Sequence, residues 1–363
     1  MRSAMAERDV ARLRLLRTTG IGPVTWRQLL ARFGTAEAAL DMLPTLARRG
    51  GGAPPRIAER AAVEREMAAT ARLGARYLFL DDPDYPPLLA QIDTAPPALI
   101  LRGDLPLASR TTVAIVGARN ASAAACRFAR SLAHDLAAEG ATIVSGLARG
   151  IDTAAHVGAL PRTIGVIASG IDVAFPPENA ALQEQLATQS LLVAEQPPGT
   201  QPLARHFPSR NRIIAGLALG TVVVEAAPRS GSLITARLAG EMGREVMAVP
   251  GSPLDPRAQG CNQLIRDGAT LIQTAADVLE QLGPIDPRAV RAPASTYAAP
   301  PPADASDADR TRITALLGPA PVPVDELLRQ SGLAPAIVQT VLLELELAGR
   351  LERHAGGRVS LIA

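Results

Sequence analysis

Residues 205–235 read R-H-F-P-S-R-N-R-I-I-A-G-L-A-L-G-T-V-V-V-E-A-A-P-R-S-G-S-L-I-T. Within this stretch, residues 221–224 are apolar on both faces, which is typical of a central strand in a parallel sheet that is covered by helices. The residues after it, Ser230-Gly-Ser232, can open a helix whose free amides and hydroxyls accept an anion. Because ligands bind beside the carboxyl ends of such strands, the stretch predicts a phosphate site that needs no metal.

The same alternation of apolar strands and helical segments extends on both sides of this stretch. It predicts strands at residues 113–116, 142–144, 163–167, 191–194, 221–224, 245–249 and 269–272. Repeated strand-helix-strand units of this kind indicate an α/β fold, an extended Rossmann-like doubly wound parallel sheet.

The first two predicted strands end in glycine-containing loops that carry an arginine. The first loop offers Gly117, Arg119 and Ser122, which can cap the next helix, and the second contains Ser145 and Gly146. A dinucleotide site would need more glycines in the first loop and an acidic residue where Ser145-Gly146 stands. We therefore expect neither NAD nor FAD, and no other cofactor or metal.

The chain of 363 residues contains no lysine, so all 37 of its basic residues are arginine. This excludes a Walker A phosphate loop and a lysine Schiff base, whereas arginine suits bidentate contact with phosphate. The only cysteines, Cys126 and Cys261, cannot build a disulfide framework or a cysteine zinc site. No apolar run has the length of a membrane span, and we expect a cytoplasmic protein without membrane contact.

Composition divides the chain into five segments. They are a helical domain at residues 1–80, a connector at 81–110, the Rossmann-like core at 111–283, a flexible linker at 284–308 and a winged helix at 309–363. Residues 1–80 hold fourteen arginines against seven acidic residues, so most of the excess positive charge lies at the amino end.

In the first segment, Gly20-Ile-Gly-Pro23 separates two helical patterns, as in a helix-hairpin-helix motif whose amides hold a DNA phosphate. The alternative is an ordinary helical turn beside solvated arginines. In the last segment, three helices precede a hairpin at Gly356-Gly357. Its third helix carries Gln339, Glu344 and Glu346 and no arginine before Arg350, which favours protein docking over duplex reading.

Four titratable residues near the predicted strand ends have open roles. Asp152 and His156 share a helical face and could be an acid-base pair, but a capping aspartate is the simpler interpretation. Glu195 and Glu225 could flank a hydrolysed bond, or they could orient Arg210 or Arg212 through ion pairs.

Five ordered blocks make the chain similar to a known family. They are V-G-A-R-N-A-S (116–122), S-G-L-A-R-G-I-D (145–152), F-P-S-R-N-R-I-I-A-G (207–216), V-V-E-A (223–226) with S-G-S-L-I-T-A (230–236), and V-P-G (249–251) with G-C-N-Q-L-I (260–265). The chain resembles the DNA-processing protein A family, DprA, also called Smf. The resemblance implies a protein that is not an enzyme, that binds single-stranded DNA, forms a homodimer and loads RecA recombinase during natural transformation.

Carried over onto the matching positions, the family's DNA pocket implies fourteen contact residues. They are Gly117, Arg119, Ser122, Ser145, Gly146, Gly150, Phe207, Arg210, Asn211, Arg212, Ser230, Gly231, Ser232 and Thr235.

The chain has nine aromatic residues, and Phe207 alone falls inside the blocks, either as a stacking platform or as a packing residue. We therefore expect binding led by phosphate contacts and sensitive to salt. The alternative function is a nucleotide-cleaving, phosphoribohydrolase-like enzyme that uses Glu225 and Arg212. For the dimer, residues 213–219 and 246–249 are apolar enough to contribute buried surface.

Overall fold

The structure, a computed structural model, describes residues 2–283, 304–354 and 356–362. The chain divides into two compact units, one made of Met1–Arg65 with Ser295–Ala363 and the other of Glu66–Ala294. Most of the predicted linker, residues 284–303, lies outside the described part of the chain. In the described part, no helix combines the length and the apolar character that a membrane crossing requires.

Four helices begin the chain: α1 (Arg2–Arg17), α2 (Pro23–Phe33), α3 (Ala36–Arg49) and α4 (Arg60–Arg72). The turn between α1 and α2 is tight because Gly20 adopts a φ of 82°, and Pro23 starts α2 where no amide donor is needed. The Thr35 side chain accepts a hydrogen bond of 3.2 Å from the Ala38 amide and so caps α3. The predicted helical hairpin is therefore present.

The next segment alternates between strands and helices. In chain order it contains β1 (Arg76–Phe79), α5 (Pro87–Ala90), β2 (Ala98–Gly103), β3 (Thr112–Gly117), α6 (Ala123–Ala138), β4 (Thr142–Ser145), α7 (Ile151–Ala159), β5 (Thr163–Gly170), α8 (Ala180–Gln189), β6 (Leu191–Gln196), α9 (His206–Leu217), β7 (Gly220–Val224), α10 (Gly231–Glu241), β8 (Glu245–Ala248), α11 (Gln259–Arg266), β9 (Thr270–Leu271) and α12 (Ala275–Leu282). All seven predicted strands are confirmed, with ends shifted by up to three residues.

The strands form one sheet in the order β1-β2-β6-β5-β4-β3-β7-β8-β9. All neighbours from β6 to β9 run parallel, and β2 pairs antiparallel with both β1 and β6. In this order β4 pairs with one side of β3, and β7, which comes later in the chain, pairs with its other side. The carboxyl ends of β3 and β7 therefore border the switch point, where ligands bind in folds of this type.

Alternation along the two central strands explains why both are apolar on both faces. Ala114, Val116 and Val223 face one hydrophobic cluster of the core. Val113, Ile115, Val222 and Val224 face the other cluster. Since helices cover both faces, each side chain of these strands leaves water, and the sheet becomes the rigid support for its carboxyl-end loops.

Two sequence-based interpretations need correction here. The connector at 81–110 contains β2, which joins the sheet and was not predicted because Pro96 and Pro97 directly before it were taken as signs of a loop. The strand β1, which pairs with β2, lies at the end of the segment 1–80 that was predicted to be helical. The apolar stretches 213–219 and 246–249 were expected to contribute to a dimer surface, but most of their side chains, including Ile213, Leu217 and Met247, are buried within the unit itself. Val246 and Val249 are half-buried.

The last segment contains α13 (Asp307–Ala315), β10 (Val322–Pro323), α14 (Val324–Ser331), α15 (Pro335–Leu347), β11 (Leu351–His354) and β12 (Arg358–Leu361). The strands form a small antiparallel sheet in the order β10-β12-β11. Three helices followed by a β-hairpin agree with the predicted winged helix. The structure adds a short strand, β10, that was not predicted. Ser306 and Asp309 form a capping box that starts α13.

Candidate nucleic-acid interface

A cleft of about 680 Å³ opens at the carboxyl ends of β3 and β7, at the switch point of the sheet. Nine of the fourteen predicted contact residues line it. They are Gly117, Arg119, Phe207, Arg210, Asn211, Ser230, Gly231, Ser232 and Thr235. These residues come from the loop after β3, the first turns of α9 and the start of α10, so the fold brings together segments that are about a hundred residues apart in sequence.

Phe207 lies between two arginines in the cleft. The guanidinium carbon of Arg119 is 5.1 Å from the centre of the Phe207 ring, and that of Arg210 is 5.9 Å from it. Both distances permit attraction between the cation and the ring face. Arg119 is exposed and reaches solvent from the loop after β3, whereas Phe207 is half-buried. The ring therefore positions guanidinium groups and is itself partly accessible to a ligand.

Arg210 is buried in the cleft wall and faces one carboxylate. Its Nη1 lies 3.7 Å from Oδ2 of Asp152, and both side chains are only 7% exposed. Its Nε is buried and has no hydrogen-bond partner among the described residues. A buried donor without a partner is costly. Arg210 also lines the cleft, where its guanidinium group suits an anion.

Asp152 has a different role from the expected helix cap. Gly150 occupies the cap position of α7, and Asp152 Oδ2 instead accepts bonds from the amides of Gly146 at 3.1 Å and Ala148 at 3.3 Å. Burial raises the pKa of the Asp152 carboxyl, and the charge of Arg210 opposes that shift. Asp152 thus holds both the loop after β4 and Arg210 in place.

Gly146 is required by the path of Arg210. A Cβ atom at position 146 would lie 1.1 Å from Arg210 Nη1, which is far inside contact distance. The guanidinium group of Arg210 therefore passes directly over the backbone of the loop after β4, and a glycine at position 146 leaves room for it.

His156 is a buried structural residue and does not act as the partner of Asp152 in acid-base chemistry. Its Nε2 accepts a bond from the Leu147 amide at 3.3 Å, and its Nδ1 is 2.7 Å from Thr163 Oγ1. Thr163 Oγ1 in turn donates to the Ile143 carbonyl, so we assign the Nδ1 proton to the bond with Thr163. Burial, assisted by the positive charge of Arg210, lowers the pKa of His156 to about 3, and the ring is neutral at neutral pH.

Glu225 connects the ends of the two central strands. It stands directly after β7 at a φ of 49°, and its carboxylate accepts bonds from the Ser122 amide at 2.8 Å and the Ser122 hydroxyl at 2.6 Å. The Ser122 hydroxyl also caps α6 by accepting from the Ala125 amide at 3.0 Å, as predicted. Glu225 therefore fixes the loop that carries Arg119.

The start of α10 forms the opposite wall. Ser230 caps this helix, and its hydroxyl is 2.8 Å from that of Ser232. Asn211 reaches across from α9 and donates to the Gly231 carbonyl at 3.3 Å. The first amides of α10 thus point toward a cleft that also contains Arg119 and Arg210, an arrangement that favours an anion.

A second cavity of about 360 Å³ shares Arg119, Phe207 and Arg210 with the cleft and adds Gly146 and Phe175. The rings of Phe175 and Phe207 meet edge to face, with centroids 5.9 Å apart. Phe175 is exposed and was not predicted from the sequence. It lies in the loop after β5, at the same edge of the sheet, and this position could have indicated that it lines the site. Asn120, Arg229 and Arg257, which also line the cleft, were likewise missed.

Four predicted contact residues line neither cavity. The Ser145 hydroxyl is buried and donates to the Ile115 carbonyl at 2.6 Å. Ser122 is held by Glu225, and Gly150 opens onto a separate groove beside Arg149. Arg212 is directed away from the cleft because its guanidinium binds Glu195 and the Thr94 carbonyl.

The proposed catalytic pairing of Glu225 with Arg212 is not formed. Glu225 binds Ser122 and Arg212 binds Glu195, so their polar atoms are engaged with different partners. The structure therefore does not favour the nucleotide-cleaving alternative. Among the residues described, there is no group of three or more His, Cys, Asp or Glu side chains that could hold a metal ion.

Comparison with family models matches three regions of the chain. Residues 76–283 match the model of DNA recombination-mediator protein A, residues 6–69 a DprA-like N-terminal HHH domain, and residues 297–357 a DprA winged helix domain. The chain is 47% identical over 208 residues to the DNA processing protein DprA of Streptococcus pneumoniae, which covers 56% of this chain and 73% of that protein.

Two solved structures are similar to the chain. The X-ray structure of DprA from Streptococcus pneumoniae aligns with a TM-score of 0.58 and 43% identity, over 62% of this chain and 78% of that chain. A structure of DNA processing protein A from Helicobacter pylori, described for its single-stranded DNA binding mode, aligns with a TM-score of 0.52 and 30% identity, over 57% of this chain and 95% of that chain. With the match of its sheet region, its two flanking domains and these relatives, the chain belongs to the DNA recombination-mediator protein A family, DprA or Smf.

Proposed function

We propose that the chain binds single-stranded DNA in the cleft at the switch point and acts as a recombination mediator by binding, without catalysis. Phosphates would contact Arg119, Arg210 and the first turn of α10, while bases would pack against Phe207 and Phe175. The observation that carries this proposal is Arg210, a buried arginine in the cleft wall whose Nε has no partner among the described residues. The single-stranded DNA binding mode of the Helicobacter pylori protein supports the same ligand.

Three features of the cleft favour a single strand over a duplex. Its volume of about 680 Å³ suits a few nucleotides, its polar groups are guanidinium and helix-start amides that recognise phosphate, and its aromatic rings stack only on unpaired bases. The few aromatic residues make stacking secondary to phosphate contact. Sequence specificity is therefore not expected.

The direct test is a fluorescence polarisation titration of a labelled oligo-dT with Arg119→Ala. Arg119 is exposed and forms no ion pair with any described residue, so its removal should leave thermal stability unchanged and raise the Kd about tenfold, the equivalent of about 1.4 kcal/mol. The matched control is Arg237→Ala, which removes an exposed arginine of α10 that pairs with Glu241. Equal affinities for the two variants would refute the proposed site.

Arg212→Ala tests whether Arg212 has the structural role seen here or contacts DNA, as predicted from the sequence. Because Arg212 binds Glu195 and the Thr94 carbonyl, its loss should lower the melting temperature and leave the Kd within about twofold. If Arg212→Ala raised the Kd as much as Arg119→Ala and left the stability unchanged, Arg212 would be a DNA contact after all.

We further propose that the chain forms a homodimer and delivers the bound strand to RecA in the cytoplasm, during natural transformation. Membership of a recombination-mediator family supports these roles. Sedimentation velocity would establish the dimer. RecA filament assembly on a strand covered by single-strand-binding protein should be accelerated by the chain but not by Arg119→Ala. Incubation with nucleoside monophosphates should release no free base.

A further inference from the structure

The third helix of the winged helix, α15, is buried on two opposite faces. Val338, Val341, Leu342 and Leu345 belong to the hydrophobic cluster at the centre of the winged helix. Thr340, Leu343, Glu344 and Leu347 follow the helical spacing of the other face, lie outside that cluster and are nevertheless at most 4% exposed. Arg310 of α13 covers the Glu344 carboxylate, and another part of the unit covers the rest of this face.

The covering element is the end of α3 in the N-terminal helical domain, which belongs to the same compact unit. A Cβ atom at Gly50 would lie 2.1 Å from the Glu344 carbonyl oxygen, and one at Gly52 would lie 2.3 Å from the Ala348 carbonyl oxygen. These two glycines thus allow the backbone after α3 to pass directly against the backbone of α15. The Gly50 carbonyl accepts a bond of 3.0 Å from Arg350 Nη1.

Polar contacts extend along the same face to α2. Thr25 donates to Glu346 Oε1 at 2.8 Å, and Arg32 Nη1 donates to Thr340 Oγ1 at 2.8 Å. The amides of Gln28 and Gln339 are 3.0 Å apart. Three polar side chains of α15, those of Gln339, Thr340 and Glu346, are therefore bonded to side chains of α2.

Charges at this contact are paired by sign. Asp304 accepts from Arg49 at 3.0 Å and from Arg32 at 3.3 Å, both from the helical domain. Glu344, fully buried, is held by a bidentate ion pair with Arg310 at 2.8 and 2.9 Å. The two acidic residues of α15 are thus paired within the winged helix, Glu344 with Arg310 and Glu346 with Arg353 at 2.8 Å. The arginines of the helical domain pair with Asp304, which precedes α13.

We propose that the outer face of α15 is a docking surface for the chain's own N-terminal helical domain and that it does not read duplex DNA. In winged helices that bind DNA, the third helix enters the major groove. Here that face is occupied by α2 and the end of α3. The two ends of the chain form one module, and the contact leaves the central cleft as the route for DNA binding.

The test uses the full chain with a specific protease site inserted in the segment 284–303. After cleavage at micromolar concentration, the carboxyl fragment is expected to coelute with the amino fragment on size exclusion. Gly50→Ala and Glu346→Arg, one on each side of the contact, should release it. The matched controls are Gly318→Ala, where a Cβ meets nothing within 4 Å, and Glu352→Arg, an exposed glutamate of the same winged helix.

Circular dichroism of each variant would verify that it remains folded. Separation of the unsubstituted fragments would overturn the proposal, and so would coelution that neither Gly50→Ala nor Glu346→Arg disturbs. A second readout is duplex binding by the intact chain: Gln339→Ala should leave the duplex Kd within about twofold, because Gln339 is engaged with Gln28. A loss of about tenfold, the size expected for a lost base contact, would also overturn it. None of these measurements depends on the single-stranded DNA site.

Discussion

Arg210 Nη1 lies 3.7 Å from Asp152 Oδ2, and this buried pair joins α9 to the first turn of α7. The pair sits in the wall of the cleft, where Asp152 also receives the amides of Gly146 and Ala148. Asp152 compensates the charge of Arg210 in the absence of a ligand. Arg210 Nε has no acceptor in the described part of the chain, so Asp152 is the main polar partner of this buried guanidinium group.

Gly146→Ala should weaken binding of single-stranded DNA by about tenfold or more, since a Cβ 1.1 Å from Nη1 forces Arg210 out of its position. Polarisation titration with oligo-dT measures this effect. Gly240→Ala is the control, because its Cβ would meet only Val246 at 3.8 Å and alanine suits a helix interior. If Gly146→Ala binds as tightly as Gly240→Ala, Arg210 is not a DNA ligand.

Asp152→Asn should lower the free energy of unfolding by about 3 kcal/mol, because it leaves Arg210 buried without its countercharge. Urea unfolding at neutral pH provides the measurement, and Asp135→Asn, an exposed aspartate of α6, is the control. DNA should restore part of the lost stability, since a phosphate replaces the missing carboxylate. A variant as stable as the control would show that Asp152 does not compensate Arg210.

Arg119→Ala and Phe207→Ala should affect the salt dependence of binding differently. Loss of a phosphate contact should reduce the slope of log K against log salt by about 0.7, the value for one contact on a single strand. Phe207→Ala should cost about 1–3 kcal/mol of base stacking and retain a slope closer to that of the unsubstituted chain. Titrations at several salt concentrations distinguish the two. Identical slopes for all three proteins would contradict a phosphate contact by Arg119.

His156 should make the fold less stable in mild acid. Its pKa is about 3 in the folded chain and about 6.5 when exposed, so the unfolded chain binds the proton first. The stabilisation is complete above pH 6.5 and is lost as the pH falls toward 3, with about 2 kcal/mol lost by pH 5. Urea unfolding at pH 7.5 and pH 5, compared with His156→Gln, isolates this contribution. Parallel pH dependences in both proteins would exclude His156 as its source.

The central strands and their loops could be predicted because local pattern decides them. Residues 221–224 are apolar without a break, and such a run is stable only where both faces are covered. The carboxyl-end rule then located the cleft that Arg119, Phe207 and Ser230 share. The antiparallel strand β2 was missed because the prolines before it resemble a loop, and its pairing with β6 depends on a partner about ninety residues away.

The sequence by itself determined the parallel sheet, the excluded lysine chemistry and the edge where an anion site had to lie, since periodicity and residue type are local properties. Only the tertiary structure decided that Arg210 turns inward to Asp152, that Arg212 is held by Glu195, and that Phe175 joins Phe207. It also decided that the outer face of α15 is covered by α2 and the end of α3. These outcomes depend on how distant helices and loops pack, because the direction of a long side chain is set by the neighbours that packing brings to it.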